Sequence, residues 1–430
     1  MFQLDAAVLS AATSLITRER ERFYGLEVAM LLGRERSTVY KSLHRLVGLG
    51  LLSDEWEAGR RYHRFTDFGR QSVSHARRGA RVFGRPDANR RRVRGMEHMG
   101  EFTARRVVTG HDAEGRAVIV SDAAPPNTIR ANGFAVATWL WLDGPPATVD
   151  DGGDEPDGPV QLEPPPGGCS VRIIRFPGAS EGGGDWIRVE GDDADEPGMH
   201  ATDTLDFMVV VDGRIVLGLD DGEHELGPGD VVIQRGNRHR WRVAGDDPCT
   251  YVVCMLRPDP DAPAPAEPQV PATSVEGAGR RRLVAATHTD GDSDGRSYVL
   301  ADGTPPAAIG GGGTALVELW QTGGALGAPD QGGDPEGGWE LEPRGGGICF
   351  RTVEHPPGFD PGEAGWHTTA TIDVDIVLSG RLELALPDQP PVVLGPGEAV
   401  VQRGTHHRWR PVGDEPVVWA ALMLALRSQP

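Results

Sequence analysis

From about residue 104 to the end of the chain, apolar residues come in short alternating runs parted by glycine and proline. Residues 209–211, Gly213, 215–219, 225–226, the turn 227–230 and 231–233 are one such passage. Period-two alternation bounded by tight turns predicts strand, turn, strand. No run there has the length and 3.6-residue period of a crossover helix. The pattern therefore predicts a small antiparallel barrel or jelly roll, which closes its own edges and can hold a ligand inside. The first 80 or so residues read differently. Residues 2–17 predict a buried helix and 25–32 a short amphipathic one closed by Gly33. Ser37 caps a further helix to about Val47, with Val39, Leu43, Leu46 and Val47 at helical spacing. The stretch SDEWEAGRRYHRFT predicts a hairpin with 58–61 at its tip, and Thr66 or Asp67 caps another helix.

The strand-rich part occurs twice. MHATDTLDFMVVVDGRIVLGL from Met199 and WHTTATIDVDIVLSGRLELAL from Trp366 align His200 with His367, Thr202 with Thr369, Thr204 with Thr371, Asp206 with Asp373 and Gly213 with Gly380, all at an offset of 167. A second block, from Gly227 and from Gly395, aligns Arg235 with Arg403, His239 with His407 and Trp241 with Trp409. Matches at fixed spacing indicate a duplicated module. Upstream the offset is 179, as for Arg172 and Arg351, so the first copy carries a 12-residue excess within 178–197, rich in Gly, Asp and Glu and read as a surface loop. The predicted organisation is a winged domain at 1–83, a connection at 84–100, a first module at 101–257, a Pro/Ala-rich linker at 258–278 and a second module at 279–430.

Composition changes this picture in one respect. The net charge is −20, yet residues 1–100 hold 19 Lys or Arg against 11 Asp or Glu. A basic module joined to acidic ones suits a single surface that attracts phosphate. Four cysteines without a CxxC pair are read as buried free thiols. With no apolar run of bilayer length and no basic segment leading into an apolar core at the N-terminus, the expectation is a cytoplasmic protein without membrane contact. No phosphate-binding glycine loop or serine nucleophile signature is present, which argues against nucleotide chemistry.

In YGLEVAMLLGRERSTVYKSLHRLVGLGLL and EAGRRYHRFTDFGR the N-terminal part resembles the winged helix-turn-helix domain of PadR-like and MarR-like transcriptional regulators. A polar, basic second helix is the geometry that enters a major groove, with Ser37, Thr38, Tyr40, Lys41, His44 and Arg45 on its exposed side. Arg60, Arg61 and Arg64 on the wing are placed for phosphate or a minor groove. This reading implies double-stranded DNA as a partner and a homodimer.

The two blocks of each repeat make the body resemble a bicupin, two cupin jelly-roll modules in one chain. The family pattern has two histidines and a glutamate in the first block and a third histidine in the second. Here His200 and His367 take the first histidine position, Thr202 and Thr369 the second, Asp206 and Asp373 the glutamate position, and His239 and His407 the last. The fold expectation is thus mainly β, two cupin-type β-barrels plus a small α+β winged helix-turn-helix domain. His200, Asp206 and His239, and likewise His367, Asp373 and His407, could hold a divalent metal (Fe, Zn, Mn or Ni). Threonine is a poor ligand and aspartate is a methylene shorter than glutamate. A metal-free pocket lined by Thr202, Thr204, Arg235, Trp241, Thr369, Thr371, Arg403 and Trp409 stands beside the metal reading, as does a purely structural role for the histidines at the barrel rim. Two functions follow: a transcriptional regulator sensing a small-molecule effector through its barrels, and, as the alternative, a metal-dependent cupin enzyme (oxygenase, isomerase or hydrolase) acting on a small aromatic or carboxylated metabolite.

Overall fold

The computed structural model describes residues 104–427 apart from 132, 157–160, 190–191, 194, 264–279, 290–294, 306–307, 312–313, 336–339 and 344. Outside that span it describes Phe102, 22–24, 52–57, 60–65 and the single positions Val28, Val39, Lys41, Leu43, Leu46 and Val47.

The body is mainly β. Each half combines one large sheet with one three-stranded sheet. In the first half, Leu205–Asp212, Val231–Arg235, Cys249–Leu256, Cys169–Phe176 and Phe134–Leu142 lie in the large sheet, and Ile215–Leu219 pairs with Gly222–Leu226 and Arg240–Val243 in the small one. In the second half, Thr371–Ser379, Ala399–Arg403, Val417–Ala425, Ile348–His355 and Thr314–Gln321 form the counterpart, with Leu382–Ala385 between Val392–Leu394 and Arg408–Pro411.

Alternation decides which core each side chain joins. Along Leu205–Asp212, Leu205, Phe207 and Val209 enter a core shared by both large sheets, whereas Met208 and Val210 pack inside the first barrel with Leu217, Val232 and Trp241. Val377, Leu384, Val400 and Trp409 fill the second barrel in the same way. Phe207 stacks on Phe350 across the shared core, with ring centroids 4.9 Å apart. The large sheets are therefore apolar on both faces, which explains why Leu205–Asp212 and Val417–Ala425 are nearly continuous apolar runs.

The two modules exchange strands. Arg282–Thr287, which begins the second repeat, pairs in parallel with Val231–Arg235 of the first, and Arg106–His111 of the first pairs in parallel with Ala399–Arg403 of the second. Arg106 and Arg282 fix the exchanged strands to their own halves. Arg106 donates to the Trp139 carbonyl (2.9 Å) and Asp154 (2.7 Å), and Arg282 to the Leu319 carbonyl (2.7 Å) and Asp334 (2.6 Å). The repeats at 101–257 and 279–430 are thus units of sequence, while each barrel is built from both. Gly213 and Gly380 are required by the backbone: φ is 76° and 73°, and a Cβ would lie 2.1 and 2.3 Å from the carbonyl oxygens of Pro248 and Pro416.

The N-terminal unit corrects the sequence reading. Its bounded elements are three strands, Arg22–Tyr24, Leu52–Glu57 and Arg60–Phe65, in one antiparallel sheet. The predicted hairpin is there, paired Trp56 to Arg61 and Glu57 to Arg60. Val28, Val39, Lys41, Leu43, Leu46 and Val47 are helical as individual positions, but no bounded α-helix exists among the described residues. A helix-turn-helix needs two helices with defined ends and an exposed reading face. The i, i+4, i+7 spacing of Val39, Leu43 and Leu46 marks a buried stripe and nothing more. The α+β winged helix-turn-helix domain is accordingly withdrawn from the fold. Ser37, Thr38, Tyr40, His44 and Arg45, and the connection 84–100, lie outside the described residues.

Candidate functional site

The first-block and second-block histidines meet. His200 and His239 exchange main-chain hydrogen bonds, His200 N to His239 O at 3.0 Å and His239 N to His200 O at 2.8 Å, and their ring centroids are 4.3 Å apart. His367 and His407 repeat this with 3.0 Å for both bonds and 4.2 Å between rings. Each Nδ1 faces a backbone carbonyl: Gly198 and Asn237 at 2.9 and 3.0 Å, Gly365 and Thr405 at 3.0 and 2.8 Å. A carbonyl only accepts, so every Nδ1 carries the hydrogen, and in a neutral ring Nε2 then keeps its lone pair. Burial drives His239 and His407 down to about 3, so both are neutral at ordinary pH.

Asp206 and Asp373 stand on the interior faces of Leu205–Asp212 and Thr371–Ser379, buried to 2% and 5% exposure. Thr202 Oγ1 donates to Asp206 at 3.4 Å and Thr369 Oγ1 to Asp373 at 3.2 Å. Burial pushes each carboxyl up to about 7, with the neighbouring threonine hydroxyls pulling the other way. In the second barrel a further carboxyl, Asp375, is buried beside Asp373 and driven well up by burial and by that neighbour's charge, where the first barrel has Met208.

The sequence reading missed two interior pairs. Gln234 and Gln402 are the cross-strand partners of Asp206 and Asp373. They share the interior face with Val232 and Val400, and their signal was the residue before arginine in both QRG turns. The second pair is ionic. Arg172 meets Glu155 at 3.1 Å and Arg351 meets Glu318 at 3.2 Å, all four side chains nearly fully buried. The acid comes from a loop in one half and from a strand in the other, which hides the correspondence.

The predicted pocket residues divide. Trp241 and Trp409 stand edge-on to His239 and His407, at 6.0 and 5.5 Å. Arg235 and Arg403 do not line the interior. Arg235 donates to the Asp330 carbonyl (3.1 Å from Nε), and Arg403 to the carbonyls of Asp150 (3.1 Å) and Gly152 (2.9 Å), so each fastens its half to a loop of the other. Trp139 and Trp320 belong to the shared core. At the rim an aromatic ring covers an arginine in both halves: Trp186 under Arg240 at 4.1 Å, Trp366 under Arg408 at 5.0 Å. Trp186 comes from the longer loop of the first copy. A small cleft of about 40 Å³ lined by Leu142, Pro145, Cys169, Leu256, Ala325 and Ile348 holds none of the polar interior residues. All four cysteines are buried and unbridged.

These donors do not fit the expected metal centre. Among the described residues no group of three or more His, Cys, Asp or Glu side chains is close enough to hold an ion. The short aspartate side chains are engaged by threonine hydroxyls, threonine replaces the second histidine, and Gln234 Nε2 lies 3.2 Å from His239 Nε2, on the lone pair a metal would need. What remains in each barrel is an imidazole pair and a buried carboxyl, joined in the first by Gln234, which is the cross-strand partner of Asp206 and lies 3.2 Å from His239, a set suited to hydrogen bonding and proton transfer.

A family model described as "Cupin domain" matches residues 186–255. Among curated proteins, phomopsin biosynthesis cluster protein C′ of Diaporthe leptostromiformis is 35% identical over 148 residues, spanning 33% of this chain and 70% of its own. The cupin-domain-containing oxidoreductase srdB of Neurospora crassa is 32% identical over 153 residues, 33% of this chain and 67% of its own. Among solved structures, AerE from Microcystis aeruginosa has a TM-score of 0.36 at 9% identity, covering 70% of this chain and 97% of its own. The family match falls on the first repeat and no helix-turn-helix is bounded among the described residues, so the transcriptional regulator and its double-stranded DNA partner are set aside. No helix among the described residues is long and apolar enough to cross a membrane.

Proposed function

The chain belongs to the cupin-domain family, and on that premise we propose that it is a small-molecule enzyme whose barrel interiors carry out proton transfer on a metabolite. The observation that carries this reading is the presence, in both barrels, of a histidine held neutral by burial and a carboxyl raised to about 7 by burial. Titratable groups pushed apart in this way divide into a base and an acid at neutral pH. His407 supplies an Nε2 lone pair that accepts a proton, His239 does so once the Gln234 amide has turned away from it, Asp206 and Asp373 supply the acid, and Trp241 and Trp409 form an apolar wall that keeps water from competing. The reaction classes that need only this are isomerisation and hydrolysis. The biosynthetic-cluster and oxidoreductase names of the relatives support a biosynthetic intermediate as substrate.

Enolisable keto acids test the chemistry without knowledge of the natural substrate. Loss of the enol absorbance of phenylpyruvate should be faster than in buffer with the wild-type protein, and should return to the buffer rate in the His239→Phe/His407→Phe double variant. Buffer rates with wild-type protein across a panel of such acids would remove the proposal.

A further inference from the structure

The two barrels place the same amide in opposite senses. In the first, Gln234 Nε2 lies 3.2 Å from His239 Nε2, and its Oε1 is buried without a partner. Because His239 Nδ1 donates to the Asn237 carbonyl, its Nε2 can only accept, so the nitrogen of Gln234 must face it. In the second barrel Gln402, fully buried, has its Oε1 held by the hydroxyls of Thr109 and Thr405, and it is the Nε2 that is buried without a partner.

The difference is caused from outside the second repeat. Thr109 lies on the exchanged strand Arg106–His111, and its Oγ1 also accepts from Arg403 N (3.0 Å) and sits 3.1 Å from Thr405 Oγ1. Committed as an acceptor to the backbone, that hydroxyl turns its hydrogen to Gln402. In the first barrel the equivalent positions are Ala285 and Asn237. Asn237 Oδ1 takes the Arg235 N–H at 3.0 Å, from within its own half, and no hydroxyl is left to hold Gln234.

We infer that Thr109 is a positioning residue that makes the second barrel specific for a neutral carboxamide-type group, with Gln402 Nε2 donating to the ligand oxygen and Asp373 Oδ1, in its carboxylate form, taking the ligand N–H. Asp373 Oδ1 is the neighbouring buried atom without a partner, and Gln402 and Asp373 are direct cross-strand partners. A donor and an acceptor side by side match an amide, which bears one of each. The nearby guanidinium, Arg351, is engaged by Glu318, so an anionic group would meet Asp373 with no cation reserved for it. In the first barrel the Gln234 amide nitrogen is turned to His239 and also stabilises the Asp206 carboxylate, so no unengaged donor stands beside Asp206 Oδ1. This inference rests on the reading of the barrel interior as a ligand site.

The test is calorimetric titration of the full chain with benzamide and with benzyl alcohol, in the wild type and in T109V, T109S and Q402L. The wild type should bind benzamide about tenfold more tightly, the scale of one well-made hydrogen bond. Q402L and T109V should lose that preference, while T109S, which keeps the hydroxyl, retains it. If T109V does not fold, T109S against Q402L carries the comparison. Benzamide preference that survives Q402L or T109V overturns the inference and leaves the ligand-site reading standing. Failure of both probes to bind the wild type overturns the two together.

Discussion

Replacing Arg351 by methionine leaves the Glu318 carboxyl inside the second barrel without its counter-ion. Both side chains are nearly buried, 5% and 4% exposed, and meet at 3.2 Å. Breaking a buried pair on one side costs about 3–5 kcal/mol because the survivor is an uncompensated charge. Replacing both, as in R351M/E318L, removes the pair without an orphaned charge and should cost the guanidinium's other bonds, those to the Leu341 and Glu340 carbonyls at 3.1 Å and to Cys349 Sγ at 3.0 Å among them, or about 1 kcal/mol apiece. The coupling energy from the double-mutant cycle should then be about 2 kcal/mol or more. The pH dependence adds a second check. Burial raises Glu318 from 4.5 to about 7, so its contribution is fully present below 4.5 and is lost as pH rises through 7. Without Arg351 the carboxyl holds its proton more tightly still. The deficit of R351M relative to wild type, read from urea midpoints, should therefore be larger at pH 8 than at pH 5.5. A double variant as unstable as the single one, or equal deficits at the two pH values, would refute the argument.

Other outcomes follow from the same geometry. Asp206→Asn removes a carboxyl whose stabilising contribution falls as pH rises from 3.8 through about 7, so its melting temperature relative to wild type should climb across that range. Proton-transfer activity that needs Asp206 or Asp373 protonated should decline above pH 7, while neutral His239 and His407 hold the acid side level down to about 3; a rate that rises above pH 7 contradicts the assignment. Gly380→Ala should cost about 1–3 kcal/mol, from a φ of 73° and a contact of 2.3 Å with the Pro416 carbonyl. Gly115→Ala, with similar φ and open space, should cost less in the same melts. A chain of residues 101–257 alone lacks the strand Arg282–Thr287 and exposes the edge of Val231–Arg235. It should aggregate in light scattering, and co-expression with 279–430 should recover a soluble complex.

What the sequence could express was local. Alternation with glycine and proline turns located the strands, and the repeat paired His200 with His367 and Gly213 with Gly380. The exchange of strands was invisible, because Val231–Arg235 has the same pattern whether its neighbour comes from its own repeat or the other. That exchange also buries both faces of the large sheets, which sent Arg235 and Arg403 to contacts between halves where the sequence reading set them in a pocket. The metal expectation meets no ligand cluster among the described residues: one methylene separates Asp206 from the glutamate pattern, and a glutamine amide faces an imidazole lone pair. At the N-terminus, helical spacing and basic charge were both genuine, yet spacing alone does not bound a helix.

The crossed strands also set a timetable for synthesis. Arg106–His111 emerges early and pairs at once with Ala117–Ala123, but its other edge has no partner strand until Arg403 has left the ribosome, roughly 290 residues later. At about 5–20 residues per second this is a wait of roughly a quarter of a minute to one minute. During that time the nascent hairpin offers bare backbone donors and acceptors to any passing strand, including its twin in a neighbouring polysome chain. Two chains crossing at this point would trade first hairpins and mature as an intertwined pair, so translation speed over the second repeat becomes a determinant of whether the product is single or interlocked.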